Sequence, residues 1–81
     1  MVSDMDSAAI AKLSLDPKRL GASLTSIRKN KGLTQSAVAN DLEMDRRQIW
    51  SFERGVGLTL ENFTKMAMYY QVPIETLLEL N

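Results

Sequence analysis

Apolar residues recur along much of the chain at spacings of three and four, which is the period of an α-helix. The first such series is Leu20, Leu24 and Ile27. Asp16 before it suits a helix cap, Pro17 suits the first helical position, and Gly32 favours termination. We therefore predict a first helix from Pro17 to about Lys31.

Two short helices are predicted next, joined by a connection of about three residues, "EMD". Thr34 can cap the earlier one, which runs to about Leu42. Asp45 can cap the later one, which ends at Arg54 because Gly55 follows it. Their inward positions are Val38, Ala39, Leu42, Ile49 and Phe52.

The short connection forces these two helices to cross closely. A small residue is needed where the two backbones meet, and Ala39 supplies it. Met44, in the turn, has the size to fill the gap between the helices. Together these features predict a helix-turn-helix.

A fourth helix is predicted from Thr59 to Tyr70, and Pro73 opens a short fifth one. The inward positions of this region are Leu60, Phe63, Met66, Ala67, Tyr70, Ile74, Leu77 and Leu78. We find no convincing strand pattern. The predicted fold class is all-α, a compact bundle of five helices, with residues 1–15 as an N-terminal arm or short extra helix.

The third helix has an unusual outward face. At about 100° per residue, Ile49 and Phe52 fall on the buried side of the helix, and Asp45 falls on the same side. The outward positions are Arg46, Arg47, Trp50, Ser51 and Arg54. A surface that served only solubility would carry lysine and glutamate more simply. Three arginines around one tryptophan therefore indicate a binding surface.

Composition narrows the function classes. A chain of 81 residues supports one domain, and it contains no cysteine and no histidine. The commonest metal ligands and the commonest general base are therefore missing, and no paired carboxylates or glycine-rich phosphate loop are visible. We expect no enzyme activity, no metal and no cofactor. The start at Met1 suggests a whole protein.

No apolar stretch approaches the roughly 18 residues that a membrane span needs. The first residues, "MVSDMDSAAIAKL", do not look like a signal peptide. We therefore expect a cytoplasmic protein with no membrane contact.

Charge is neutral overall, with 10 basic and 10 acidic residues, but its distribution is uneven. Residues 17–54 hold eight basic side chains against four acidic ones, and the two flanking segments are each acidic. Overall neutrality argues mildly against non-specific nucleic-acid binding. The basic central segment, which includes the third helix, favours an anionic partner, although such a block is about as often a solvated face.

The stretch "LTQSAVANDLEMDRRQIWSFERG" resembles the helix-turn-helix of the phage repressor and Cro family, also called the XRE family. The matching residues are Leu33-Thr34-Gln35, Val38-Ala39, Leu42, Ile49, Phe52-Glu53 and Gly55, with "IRKNKG" before them and "LTLENFTKMAMYYQVPIETLL" after them. The resemblance covers about Leu20 to Leu78. It implies a five-helix bundle of the lambda-repressor-like type, with residues 16–81 as the DNA-binding domain and a C-terminal dimerisation region.

The resemblance also implies roles for single residues. The third helix would lie in the DNA major groove and present Arg46, Arg47, Trp50 and Ser51 to base edges. Gln35 would contact a phosphate at the start of the second helix. Arg28 and Glu53 would form a salt bridge between the first and third helices.

Two departures from the family pattern concern the turn and the reading face. Glu43 stands where the family usually has glycine, so either Glu43 takes a left-handed conformation, at a cost on the order of 1 kcal/mol, or the turn is rebuilt. Trp50 stands where the family often has a small or polar residue. These departures affect the expected operator sequence more than the expected fold.

For each candidate, a structural alternative remains open at the sequence level. Arginine can pair with guanine O6 and N7, yet Arg46 or Arg47 can instead hold phosphate or pair with Asp41 or Asp45. Trp50 can contact thymine methyls, follow a sugar–phosphate edge, bind a protein partner or rest half-buried on a neighbouring helix. The full set of candidate DNA-binding residues is Arg28, Lys29, Gln35, Ser36, Asp45, Arg46, Arg47, Trp50, Ser51 and Arg54.

The C-terminal region holds more apolar surface than so short a monomer is expected to bury. The candidate dimer-interface residues are Leu58, Tyr69, Tyr70, Val72, Ile74, Leu77 and Leu78. A two-fold homodimer would space its reading helices by about 34 Å, one turn of DNA, and would require a near-palindromic site.

The leading hypothesis is a transcriptional regulator, a repressor or autoregulator, that binds double-stranded operator DNA as a homodimer. Activation through contact with RNA polymerase is also compatible with so small a domain. One alternative is the DNA-binding antitoxin of a toxin–antitoxin pair. Another is a protein-interaction module that keeps the helix-turn-helix fold without binding DNA, which overall neutrality and an exposed Trp50 favour.

Overall fold

A computed structural model describes residues 16–74. The described part contains four α-helices and no strand: α1 (Pro17–Asn30), α2 (Gln35–Asp41), α3 (Arg46–Glu53) and α4 (Leu60–Tyr70). The all-helical prediction and the first four predicted helices are confirmed. The predicted arm at residues 1–15, and Leu77 and Leu78 of the predicted fifth helix, lie outside the described residues.

Each of the four helices begins directly after a residue whose side chain caps it. A side-chain oxygen of this residue accepts a hydrogen bond from a backbone N–H in the first turn, and that N–H has no partner within the helix. The capping residues are Asp16, Thr34, Asp45 and Thr59. The starts of the helices are therefore set locally by the sequence.

One hydrophobic core lies between the helices. Its buried members are Leu20, Leu24, Val38, Ala39, Ile49, Phe52, Phe63, Met66, Ala67 and Tyr70. Met44 packs against this core from the turn, as the sequence predicts. Leu60 does not: it was expected inward, but 59% of its surface is exposed. Leu60 is the first residue of α4, and Leu58 just before the helix packs against the core instead.

Two glycines allow α1 and α3 to approach closely. A Cβ on Gly21 would lie 2.5 Å from the carbonyl oxygen of Phe52 and 2.6 Å from that of Glu53. A Cβ on Gly55 would lie 2.8 Å from the backbone nitrogen of Lys18, and its φ of +82° also favours glycine. The C-terminal end of α3 is therefore in direct backbone contact with α1, which holds α3 in place.

Of the two possibilities for the turn between α2 and α3, a left-handed Glu43 or a rebuilt turn, the structure has the left-handed residue. Glu43 has a φ of 54°, a conformation that side chains with a Cβ rarely adopt. The next residue closes the turn, since the Met44 N–H donates to the Ala39 carbonyl at 2.8 Å. Among the described residues, no helix is long and apolar enough to cross a membrane.

Candidate nucleic-acid interface

The outer face of α3 is the most distinctive surface of the described residues. Ile49 and Phe52 are buried beneath it, with 0% and 4% of their surfaces exposed. On the opposite side Arg46, Arg47 and Arg54 are exposed, Ser51 is partly exposed, and Trp50 is 46% exposed. We call this set of five residues the α3 face; it agrees with the orientation that helical periodicity predicts.

Asp45 is the exception to that orientation. Periodicity put it on the buried side, but it is exposed, and its carboxylate accepts the Arg47 N–H at 2.9 Å. The reason is that Asp45 is the N-cap, with an extended backbone (φ −74°, ψ 139°), so the rotation of a helix does not apply to it. Asp45 therefore has a capping role in the structure.

Trp50 is held by a neighbour one turn along α3. The Arg54 guanidinium lies over the indole ring, 4.7 Å from its centroid, in a cation–π contact. Trp50 also lines a shallow cleft with Arg46, Arg47 and Ser51, to which Arg54 does not contribute. The indole is thus not sealed in the core: the Arg54 guanidinium lies over its ring, and part of it faces this cleft.

A buried ion pair fixes α3 against α1. The Arg28 Nε donates to Glu53 Oε2 at 2.7 Å, and Nη2 donates to Oε1 at 3.1 Å. Only 11% of the Arg28 side chain and 5% of the Glu53 side chain are exposed. The hydrogen bonds to Glu53 raise the pKa of Arg28 above its ordinary value, so this guanidinium keeps its charge. Arg28 also donates to the Leu33 carbonyl at 2.8 Å, which ties down the loop before α2.

Gln35 extends this pair toward the α3 face. Its Nε2 donates to Glu53 Oε1 at 3.0 Å, and its Oε1 accepts from Arg46 Nη1 at 3.4 Å. Gln35 and Arg46 also line a second, polar cleft together with Arg28, Leu33, Thr34 and Ser36. Gln35 therefore stands between the structural ion pair and the first arginine of the α3 face.

The remaining candidates for DNA contact lie outside the α3 face. Ser36 is exposed beside Gln35 at the start of α2, and Lys29 is exposed in the last turn of α1. Neither has a side-chain hydrogen bond within the described range. Both are therefore free to contact a ligand.

The candidate dimer residues separate into three groups. The prediction that Tyr70 lies in a dimer interface is corrected. Tyr70 is only 2% exposed and is a core residue of its own chain, because it continues the inward row of α4 after Phe63 and Met66. Four of the others are partly buried and pack against the core, namely Leu58, Tyr69, Val72 and Ile74. Leu77 and Leu78 lie outside the described residues.

Two features of the site were not predicted from the sequence. The first is the contact between Trp50 and Arg54. Residues four apart on a helix are neighbours on its surface, so the spacing alone could have predicted this contact. The second feature is the position of Gln35, at the start of α2, between Arg46 and Glu53, at the two ends of α3. These residues are far apart in sequence, and no local pattern indicates their contact. Among residues 16–74, no group of three or more histidine, cysteine, aspartate or glutamate residues is placed to hold a metal ion.

Comparison with known proteins adds one finding. A family model described as helix-turn-helix matches residues 24–77, which include all of α2, the turn, α3 and α4. No curated protein and no solved structure matches the chain. The match covers about two thirds of the chain. The packing of α2 against α3 across a short turn agrees with a helix-turn-helix. The chain therefore belongs to the XRE-type helix-turn-helix family, the family of phage repressors and Cro, whose members are DNA-binding regulatory proteins.

Proposed function

We propose that the chain is a sequence-specific transcriptional regulator of the cytoplasm, a repressor or autoregulator that binds a near-palindromic operator as a homodimer. In this proposal α3 enters the major groove, whose width of about 12 Å admits a helix. The family supports DNA binding in general. The sequence specificity, the sign of regulation and the dimer are our inference.

The observation that carries the proposal is the exposure of the α3 face. Its cations project from a helix whose other side is locked into the core by Ile49 and Phe52. Arginines on a rigid element can pair with guanine O6 and N7, which is worth about 1–3 kcal/mol of discrimination for each good pair. We assign base contacts to Arg46, Arg47, Trp50 and Ser51 on this basis.

Contacts with the DNA backbone would orient α3 in the groove. Gln35 and Ser36 line the polar cleft at the start of α2, and Lys29 and Arg54 are exposed at the C-terminal ends of α1 and α3. Such side chains bind phosphate oxygens, which positions a protein without reading sequence. We assign these four residues to phosphate contact, together with Arg28 where its guanidinium reaches the cleft.

Dimerisation through the C-terminal region is supported by partly exposed apolar residues there. Leu58, Val72 and Ile74 pack against the core but keep part of their surfaces exposed. We propose that they join Leu77, Leu78 and the Tyr69 ring in a two-fold contact, without Tyr70. A two-fold dimer doubles the α3 face and so doubles the number of base contacts.

The test is selection of bound sequences from random duplex DNA, followed by affinity measurements over a range of salt concentrations. Affinity should fall steeply as salt rises, because each phosphate contact releases counterions. Arg47→Ala should lower operator affinity by about 10-fold or more with the fold intact. Lys65→Ala, which removes an exposed cation from α4, is the matched control and should change little.

One specific observation favours a second candidate, a module that binds protein. Val56, Leu60 and Met68 are 60%, 59% and 74% exposed, so these three large apolar side chains are accessible to a protein partner. If no sequence is enriched in the selection, and binding at low salt is unmeasurable or insensitive to salt, the DNA-binding proposal fails and this second function takes its place.

A further inference from the structure

The cleft on the α3 face carries a more specific chemistry than DNA binding alone. Among the described residues it is lined by two guanidinium groups, one indole and one hydroxyl, from Arg46, Arg47, Trp50 and Ser51. A phosphate group alone would leave the indole without an apolar contact, and an apolar partner alone would leave the guanidinium groups without hydrogen-bond acceptors. A ligand that satisfies both must offer hydrogen-bond acceptors beside a small apolar group.

Base edges in the major groove offer this combination. Guanine presents its O6 and N7 acceptors, and thymine presents its C5 methyl group as the main apolar feature of the groove. We propose that the cleft reads a guanine–cytosine pair next to an adenine–thymine pair, with Arg47 on the guanine and Trp50 on the thymine methyl. This inference rests on the proposed function and names the base step that the site prefers.

Arg47 is the arginine whose guanidinium is uncommitted. Within the described residues its side chain makes no hydrogen bond or ion pair, whereas Arg46 donates to Gln35 and Arg54 stacks on Trp50. A guanidinium without an internal acceptor has all its donors available for a base. Arg47 therefore takes the guanine role.

Trp50 is suited to a methyl contact by its restricted position. The Arg54 guanidinium covers one face of the indole at 4.7 Å, so the open part of the ring is the part that borders the cleft. A base cannot stack on the covered face. A methyl group, in contrast, needs only an apolar surface of its own size.

Arg47 and Trp50 are neighbours on the surface of α3. They are three positions apart, a spacing that places two side chains next to each other on one side of a helix. Both side chains line the same cleft. The two side chains can therefore address adjacent bases together.

The experiment starts from the operator selected with the full chain from random duplex DNA. We expect each half-site to contain a guanine next to a thymine. Replacing that thymine with deoxyuridine removes only the methyl group and leaves base pairing intact. The affinity of the unaltered protein should fall by about 3- to 5-fold, the loss expected for one buried methyl. Deoxyuridine at a thymine outside the step is the matched control and should have no effect.

The protein side of the experiment uses Trp50→Ala and Trp50→Gln. Both variants should bind more weakly than the parent and should no longer distinguish thymine from deoxyuridine at the step. Leu60→Ala, which truncates an exposed apolar residue outside the cleft, should keep the distinction. Because Trp50 is the single tryptophan, quenching of its fluorescence by DNA reports contact directly in the parent protein.

The outcomes separate this inference from the proposed function. Salt-dependent binding to a selected operator without such a step, or without any effect of deoxyuridine at it, would overturn the inference and leave the function standing. A deoxyuridine effect that persists in both Trp50 variants would also overturn it. Failure to enrich any sequence would overturn the inference and the proposed function together.

Discussion

Arg28 and Glu53 place two opposite charges almost out of water, at the contact between α1 and α3. Removing charges from water costs several kcal/mol for each ion, and only good geometry repays it. Here the geometry is bidentate, and Gln35 adds a third hydrogen bond to the carboxylate. A pair of this kind contributes less to net stability than to a unique orientation, because any shift of α3 leaves a buried charge unpaired.

We expect Glu53→Leu to lower the free energy of unfolding by about 3–5 kcal/mol, because it leaves the Arg28 guanidinium buried without a carboxylate. The double variant Arg28→Met with Glu53→Leu should recover most of this loss, since neither charge is then unpaired. Urea denaturation of the parent and both variants measures these values. A double variant as unstable as the single one would contradict this account.

Both tyrosines should resist ionisation. The Tyr69 hydroxyl donates to Asp41 Oδ2 at 2.6 Å, and this hydrogen bond raises the pKa of Tyr69 to about 12. Burial raises the pKa of Tyr70 further. We expect the ultraviolet absorbance of the folded chain to stay flat through pH 10, where the two tyrosines of the urea-unfolded chain should titrate.

The same shifts make stability depend on pH. The folded chain holds the tyrosine protons more tightly than the unfolded chain, so this stabilisation is complete below about pH 10 and is lost as pH rises through 12. Asp41→Asn should bring the pKa of Tyr69 back toward 10, since the carboxylate acceptor is gone. A tyrosine step near pH 10 in the folded parent would refute the assignment.

At the scale of helices, the close crossing of α1 and α3 depends on Gly21. Alanine has a higher helix propensity than glycine by about 1 kcal/mol, so propensity alone predicts that Gly21→Ala stabilises α1. The added Cβ would instead meet two backbone carbonyl oxygens of α3 at 2.5 and 2.6 Å. Backbone atoms cannot move aside as a flexible side chain can, so the helices must separate.

We expect Gly21→Ala to lower the free energy of unfolding by about 1–3 kcal/mol, the usual cost of overpacking. Operator affinity should fall as well, because α3 is displaced. The control Ser26→Ala, at an exposed position of the same helix, should change stability by less than about 0.5 kcal/mol. Equal effects of the two substitutions would show that the α1–α3 contact is loose.

The turn between α2 and α3 retains a strained residue, Glu43, at φ 54°. We expect Glu43→Gly to raise the free energy of unfolding by up to about 1 kcal/mol, the left-handed penalty less the extra entropy of an unfolded glycine. Glu43→Ala keeps the penalty and removes only the charge, so it should leave stability nearly unchanged. Thermal unfolding of the three proteins separates conformation from charge, and equal stability of the two variants would reject the strain.

For the whole molecule, charge distribution matters more than net charge. The chain is neutral, yet the arginines of the α3 face project from one side while the two segments flanking residues 17–54 are acidic. A neutral chain has weak non-specific affinity for DNA, and specific contacts must therefore supply more of the affinity for the operator. This distribution favours a regulator that discriminates strongly between its operator and other DNA.

The proposed homodimer predicts a molecular mass twice that of the chain in sedimentation at micromolar concentration. Truncation after Val72 removes Ile74, Leu77 and Leu78 and should yield monomers or an unfolded chain, because the contact and part of the core packing are lost. A full chain that stays monomeric, or a truncated chain that stays dimeric, would contradict a C-terminal interface.

The sequence by itself determined the all-helical class, the starts of α1 to α4 and the outward direction of the α3 face. Helical periodicity, capping residues and the glycines after α1 and α3 are short-range signals, since each acts within about one turn of the chain. The departure at Glu43 was visible in the local family pattern, but the structure decided that the residue is left-handed rather than the turn rebuilt.

Only the tertiary structure decided which side chains share partners. Gln35 is 18 residues from Glu53 and 11 from Arg46, and Tyr69 is 28 residues from Asp41, so no periodic pattern relates them. Tyr70 is buried in the core of its own chain rather than available for a dimer contact. Leu60 is exposed although it falls in the apolar series of α4. Burial depends on where helix axes cross, and that is set by contacts such as Gly21 against Phe52, between residues far apart in the chain.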